Sequence, residues 1–343
     1  MRLVSMLLCC SALVSLASPS AVGDAAVFSA EVNVYSARQE ELIKPVLDEF
    51  TANTGIRVNL ITGNADELIT RIASEGRNSP ADLLITTDVG RLYRAKQQQL
   101  LQPQRSELLQ QVIPAHLRDE AGYWFGLTVR ARPVLYAKDR LSEADKAELS
   151  DLTAARWRGR ICVRSSGHIY NQSMVAAKLA HDGTAATEQW VRGLVQNLAR
   201  PPRGGDRDQI RALAAGVCDL AIANTYYLAG MMNDPRDQEA AAGVAVFWPE
   251  QQGKGAHINI SGAGIAVHAP NPTAALQLLE FMLGESAQQW YAEANHEYPV
   301  RPGVAYSETL QSYGDFKADT LPLERLGELN AEALRLMDRA RWR

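Results

Sequence analysis

Tyr226 and Tyr227 stand side by side after an apolar run, Asp219 to Ala223, and the pair Asn224-Thr225. A third tyrosine, Tyr170, lies in Ser165-Ser166-Gly167-His168-Ile169-Tyr170-Asn171-Gln172-Ser173. A phenol is a poor ligand until it loses its proton, and its unperturbed pKa is about 10. A bound trivalent cation supplies the charge that ionises it, as metal ions do for bound water and thiols. Three converging phenols therefore suit a small, hard, highly charged cation such as ferric iron. The doublet alone carries little, because the chain has 11 tyrosines and two half-buried aromatics at a strand end are ordinary.

An anion seat is legible in Tyr35-Ser36-Ala37-Arg38-Gln39-Glu40-Glu41, between a short strand and the helix after it. Such a turn aims backbone N–H groups and the positive end of a helix dipole at the sheet edge where open α/β folds bind ligands. Arg38 adds a forked donor and Gln39 an amide. The plain alternative is an Arg38–Glu41 pair on a solvated surface. Arg130 and Arg132 flank a change of rhythm in the chain, where each can enter a cleft or serve in salt bridges. Asp88 follows a strand and offers a hard oxygen, although an Asp in that place more often caps a helix.

Other chemistries find no support. The six histidines form no HxxxH or HExxH pair, and there is neither a GxSxG elbow nor a Walker loop. Zinc hydrolysis, serine hydrolysis and phosphate-loop chemistry lack their residues. Arg203-Gly204-Gly205-Asp206 reads as a flexible turn, and His168 as a surface histidine, the alternative being a ligand contact beside Tyr170.

The elements that must position these groups begin after a processing segment. Residues 1–30 read as a secretory signal: Arg2, a charge-free run from Leu3 to Leu16, then small residues. No later apolar stretch reaches the ~18 to 20 residues that span a membrane. Net charge is -4 without a basic block, which argues against nucleic acid and anionic membrane surfaces. Beyond the signal only Cys162 and Cys218 remain. In an exported chain one even pair reads as a disulfide, the alternative being two separately buried thiols. Each lies eight residues before a tyrosine of interest, Tyr170 or Tyr226. If the cysteines pair, those tyrosines start from adjacent strand ends.

From Glu31 strand and helix alternate. Strands are expected at 32–35, 57–61 and 83–85. The first is followed by a helix with Leu42, Ile43, Val46, Leu47 and Phe50 on one face and Gly55 as its stop. Asn64 and Glu67 form a candidate capping pair for the second helix. The alternation predicts a mostly parallel sheet covered on both faces. A second unit starts near Val134 and runs through Arg160–Val163 and Asp219–Ala223. Segments 258–260 and 264–267 suggest a crossing back to the first, and the last third is helical. Two α/β lobes joined by two crossings make a hinged clamshell with a cleft between them.

Four segments occur in a recognisable order: 34–39, 80–88, 164–172 and 223–228. The chain resembles the periplasmic ferric-ion-binding proteins that feed ABC importers, and the resemblance runs over nearly the whole mature chain. It implies a two-lobed periplasmic-binding-protein clamshell, exported to the periplasm and working as a monomer with an inner-membrane ABC permease. The first lobe is expected over residues 31–130 with about 263–303, and the second over 131–262 with about 304–343. The resemblance places Fe3+ on Tyr170, Tyr226 and Tyr227, with a synergistic carbonate on Arg38 and Gln39. Gln39 and Glu40 stand where other branches carry a histidine or tyrosine ligand. Thr87 stands where another branch carries glutamate, which leaves Asp88, with Tyr35 and Arg130, as further candidates. The competing reading is a carrier of an organic or oxyanion solute held by Arg38 and Arg130.

Overall fold

The computed structural model describes residues 30–343, so the signal expected at 1–30 lies outside the described residues except for its last position. Two sheets organise the chain. The first contains β1 (Glu31–Ser36), β2 (Arg57–Thr62), β3 (Leu83–Thr87), β4 (Phe125–Ala131), β9 (Ile258–Ile265) and β10 (Tyr298–Pro299). Their spatial order is β10-β4-β9-β3-β1-β2. The second contains β5 (Val134–Ala137), β6 (Ile161–Cys162), β7 (Leu220–Ile222) and β8 (Val244–Phe247), in the order β6-β7-β5-β8.

The first sheet departs from the parallel expectation. Strands β1, β2 and β3 pair in parallel, whereas β9 runs antiparallel to both β3 and β4, and β10 antiparallel to β4. The physical reason is the return crossing, since a strand that re-enters from the other lobe meets the sheet head-on. The two segments expected at 258–260 and 264–267 are one buried strand, β9. It pairs with β4 from Ile258 onward, so the first sheet reclaims the chain there rather than near residue 263.

Local signals explain the elements. The helix Lys44–Thr54 buries Val46, Leu47 and Phe50 and ends on Gly55, whose φ of 72° is the left-handed value that glycine adopts at little cost. Asn64 caps Ala65–Glu75 by accepting from the Asp66 N–H. The crossings are Arg132-Pro133, between β4 and β5, and the segment 248–257 between β8 and β9. The Arg132 N–H donates to the His257 carbonyl at 3.0 Å, which ties the crossings together.

The C-terminal segment touches both lobes. Helix Glu324–Glu328 packs on Val89–Gln97 of the first lobe and on Ile169–Gln196 of the second. Gly327 lies so close to Tyr93 that a Cβ there would approach the ring carbon Cγ to 2.3 Å. Lys96 reaches Glu324 at 2.6 Å. Among the described residues no helix is long and apolar enough to cross a membrane.

Candidate metal and anion site

The phenols converge because of how β6 and β7 pair. The two strands are parallel, with Ile161 opposite Leu220 and Cys162 opposite Ala221. Cys162 and Cys218 are disulfide-bonded, with Cα atoms 5.9 Å apart. The loops leaving the two strand ends therefore emerge side by side. One leads to helix Ile169–Gln196, capped by His168, with Tyr170 in its first turn. The other leads to helix Thr225–Met232, with Tyr226 and Tyr227 in its first turn. The Tyr226 and Tyr170 hydroxyls lie 3.3 Å apart, and the Tyr226 and Tyr227 rings are 4.3 Å apart.

The opposing wall comes from the first lobe. Arg130, at the end of β4, donates to the Tyr170 hydroxyl at 2.9 Å and to that of Tyr226 at 3.3 Å. Its other terminal nitrogen donates to Glu297 at 2.7 Å. Glu297 also accepts from Arg38 at 2.9 Å and from the Thr128 hydroxyl. Thr87, at the end of β3, lies 3.4 Å from the Tyr170 hydroxyl. Asp88 caps Val89–Gln97 by accepting from the Gly90 N–H at 2.9 Å and takes a hydrogen bond across the cleft from Ser173 at 2.7 Å. Asp88, Arg130, Arg132, Tyr170, Asn224, His257 and Asn259 line a cavity of about 10 Å³, roughly the room one water needs.

Charge is distributed unevenly. Burial opposes ionisation of Tyr170, yet Arg130 and hydrogen bonds from Thr87 and Tyr226 outweigh it and bring its pKa below the ordinary value. Burial raises Tyr226 well above that value, Arg130 opposing and the neighbouring phenols adding to the rise. Burial, with the charges of Tyr170 and Asp206, pushes Tyr227 up to about 12. Arg130 thus favours one phenolate, and further ionisation needs another cation. Glu297 is buried, yet Arg130 and Arg38 overcome that penalty and hold it at about 2. His168 is no surface histidine: burial and Arg164 hold it at about 3, edge-on to Tyr170.

The predicted site residues separate into two groups. Tyr170, Tyr226, Tyr227 and Arg130 meet, and Asp88 borders them. Arg38 reaches them only through Glu297, and its Nε and second terminal nitrogen have no protein partner. Gln39 is exposed at the cleft mouth, where it lines a cavity of about 360 Å³ with Arg207 and Arg211 of the other lobe. Tyr35 is not at the site, because its hydroxyl donates to Glu75 at 3.0 Å from a separate apolar cluster.

Two residues escaped sequence reasoning. Glu297 is a lone carboxylate 259 positions from Arg38, and nothing in the sequence announces that contact. Asp206 stands in the turn read as flexible, yet it is buried and accepts from Arg132 at 2.8 Å. An acidic residue opening a helix after Gly204-Gly205 was the available signal. Among the described residues no cluster of three His, Cys, Asp or Glu side chains can hold a metal. The oxygen donors on offer at the cleft are the phenols, with the Asp88 carboxylate beside them.

A profile of the bacterial extracellular solute-binding proteins matches residues 46–318. The chain belongs to this family. Iron uptake protein A1 of Synechocystis is 44% identical over 315 residues, covering 91% of this chain and 88% of the relative. The structure of a Trichodesmium protein in complex with iron and citrate is also 44% identical. It has a TM-score of 0.88 and covers 91% of this solute-binding chain and 100% of that one. A ferric binding protein from Campylobacter jejuni is 38% identical, with a TM-score of 0.86 and coverage of 91% and 100%. The two-lobed α/β clamshell and the iron-protein resemblance read from the motifs both agree with these relatives.

Proposed function

We propose that the protein is the periplasmic ferric-ion-binding component of an ABC iron importer. Tyr170, Tyr226 and Tyr227 are its protein ligands, and an inner-membrane permease is its partner. The observation that carries the reading is the cluster of Tyr170 and Tyr226, whose hydroxyls lie 3.3 Å apart and both accept from Arg130, with the Tyr227 ring 4.3 Å from that of Tyr226. Three phenolates neutralise a trivalent ion, and hard oxygen donors suit it. Relatives named for iron uptake and ferric binding support the same cargo.

A synergistic carbonate belongs to the first-lobe side of this reading. The unpartnered Arg38 nitrogens are donors that a small oxyanion satisfies, since a buried donor without a partner is costly. Gln39, exposed at the mouth, contributes if cleft closure draws it inward. Iron bridging the lobes favours the closed form, whose shape is what a permease can distinguish. Protonation of a phenolate or of the anion weakens the bridge and aids release.

A visible absorption titration with ferric citrate, with and without bicarbonate, tests the proposal. A phenolate-to-iron charge-transfer band that bicarbonate strengthens is the expected result. A colourless iron-loaded protein overturns it. The same lack of colour, combined with tight binding of an organic anion that Arg38→Ala abolishes, establishes the competing solute-carrier reading.

A further inference from the structure

Beside the phenols, on the crossing between the lobes, one buried guanidinium gathers both tyrosine-bearing loops. Arg132 donates to Asp206 at 2.8 Å and to the Asn224 side chain at 2.9 Å through one terminal nitrogen. Through the other it donates to the Asn171 side chain at 2.7 Å and to the Ile222 carbonyl at 3.3 Å. Asn171 adjoins Tyr170, while Ile222 and Asn224 lie on the short path from β7 to Tyr226. Asp206 also accepts from the Asn224 N–H at 3.1 Å. Asn171 in turn donates to the Arg164 carbonyl at 2.9 Å, which fixes the start of the loop before Tyr170.

We infer that Arg132 is a positioning residue for the metal site, setting the distance between Tyr170 and the Tyr226–Tyr227 pair. The inference rests on the ferric reading of those phenols and adds what holds them in register. A metal site depends on groups behind its ligands nearly as much as on the ligands themselves. The geometry needs a planar fork. Two terminal nitrogens must reach two loops at once, and a lysine ammonium is a single point of charge that serves one loop well. The disulfide brings the strands together, but its cysteines lie eight residues before Tyr170 and Tyr226 and leave the loops to be set by other contacts. A simpler role has to be separated from this one, because Arg132 and Asp206 form a buried ion pair, which Arg164 joins at 3.3 Å, and the loss of Arg132 from it alone lowers stability.

The test uses the full chain as Arg132→Lys, as Arg132→Met, and as Arg132→Met combined with Asp206→Asn, which removes both buried charges. Three measurements are made on each: the thermal midpoint without iron, the Tyr170–Tyr226 hydroxyl separation in iron-free crystals, and ferric affinity by citrate competition with the charge-transfer band recorded. The double variant is expected to recover only part of the thermal midpoint lost in Arg132→Met, because Asp206→Asn also takes the carboxylate from Arg164. It is also expected to widen the 3.3 Å hydroxyl separation, shift the band and bind iron about 10- to 100-fold more weakly. Arg132→Lys falls between it and the parent, and it decides the matter if the other variants do not fold. A double variant with the parent's hydroxyl separation and affinity overturns the positioning role. If the parent itself shows no band with ferric citrate, the ferric reading fails, and the iron-free hydroxyl separation still decides what Arg132 does.

Discussion

The first-lobe wall of the cleft carries Arg38, Arg130 and Glu297 in one chain of ion pairs, whereas the second-lobe wall carries three phenols. Among the described residues no carboxylate is hydrogen-bonded to those phenols. The first wall has charges fixed in advance, two guanidiniums sharing one carboxylate. The second is nearly neutral until a cation arrives, and only then does it become strongly anionic. Such a division lets a site hold a trivalent ion without holding three unpaired negative charges beforehand, which burial would make very costly. Among the described residues Arg130 is the one first-lobe cation that hydrogen-bonds to these phenols, and with Thr87 and Tyr226 it lowers the pKa of Tyr170 against the effect of burial.

If the second wall is where charge develops, removing phenols has the largest consequence. Tyr226→Phe with Tyr227→Phe is expected to abolish the charge-transfer band. It should weaken ferric binding by more than the roughly 100-fold loss typical of an outer partner. Arg38→Ala, on the other wall, should keep the band while weakening its response to bicarbonate. Equal losses from the two walls in a citrate-competition assay would erase the distinction between them.

The disulfide separates stability from geometry on the phenol side. Its cysteines are 56 residues apart, a loop whose closure is worth about 4 kcal/mol in the chain-entropy model. Cys162→Ser with Cys218→Ser should lower the denaturant midpoint accordingly. Iron affinity well below that midpoint should stay within a few-fold of the parent, because Arg132 and not the disulfide orders the loops.

The ion-pair wall has its own acid signature. Glu297 is held at about 2 in the fold, against an ordinary value of 4.5. A depressed carboxylate contributes its stability above the unfolded pKa and loses it as pH falls through the folded one. That places the loss between about 4.5 and 2, with a size of about 3 kcal/mol. Glu297→Gln should be less stable at neutral pH and should lack this part of the acid profile. Chemical denaturation at several pH values checks both statements. A variant whose profile parallels the parent's across that window rules out Glu297 as the group responsible.

The phenol half was far more legible in the sequence than its counterpart. Tyr170 and the doublet each follow a short apolar strand, and the cysteines mark those strands as neighbours, so local signals sufficed. Asp88 was equally readable as a cap, because capping is settled within three residues. The first-lobe wall depends on contacts between Arg38, Arg130, Ser261 and Glu297, which are brought together only by β9 and β10 returning antiparallel to β4. The segments at 258–267 signalled the return itself, but strand alternation predicted a parallel sheet and could not supply its antiparallel direction. Tyr35 failed for a related reason: it was chosen for its place at the strand end, but on β1 it faces the helix Ala65–Glu75 and not the cleft. Asp206 was hidden by its glycine neighbours, whose turn is anchored through the carboxylate to Arg132 and Arg164.

The smallest expected effect lies where the two walls meet behind the cleft. His257 belongs to the second crossing and lines both the 10 Å³ cavity beside Tyr170 and a cavity of about 170 Å³ on its other side. Burial, then the charge of Arg132, lowers its pKa to about 4 from an ordinary 6.5, with Asp319 opposing and His181 adding to the drop. A histidine depressed in this way leaves the unfolded chain as the better proton acceptor below pH 6.5. Its contribution is complete above that pH and is lost progressively down to about pH 4. At pH 5 the loss is about 1 to 2 kcal/mol. His168 shares the sign and part of the window, so His257→Gln should remove only one proton's share of the slope. Denaturation of the iron-free parent and variant at pH 7, 6 and 5 measures that share. Identical slopes would mean that the crossing does not exclude the charged imidazole. The acid sensitivity in this window would then belong to the other histidines that burial depresses, His168, His116 and His296.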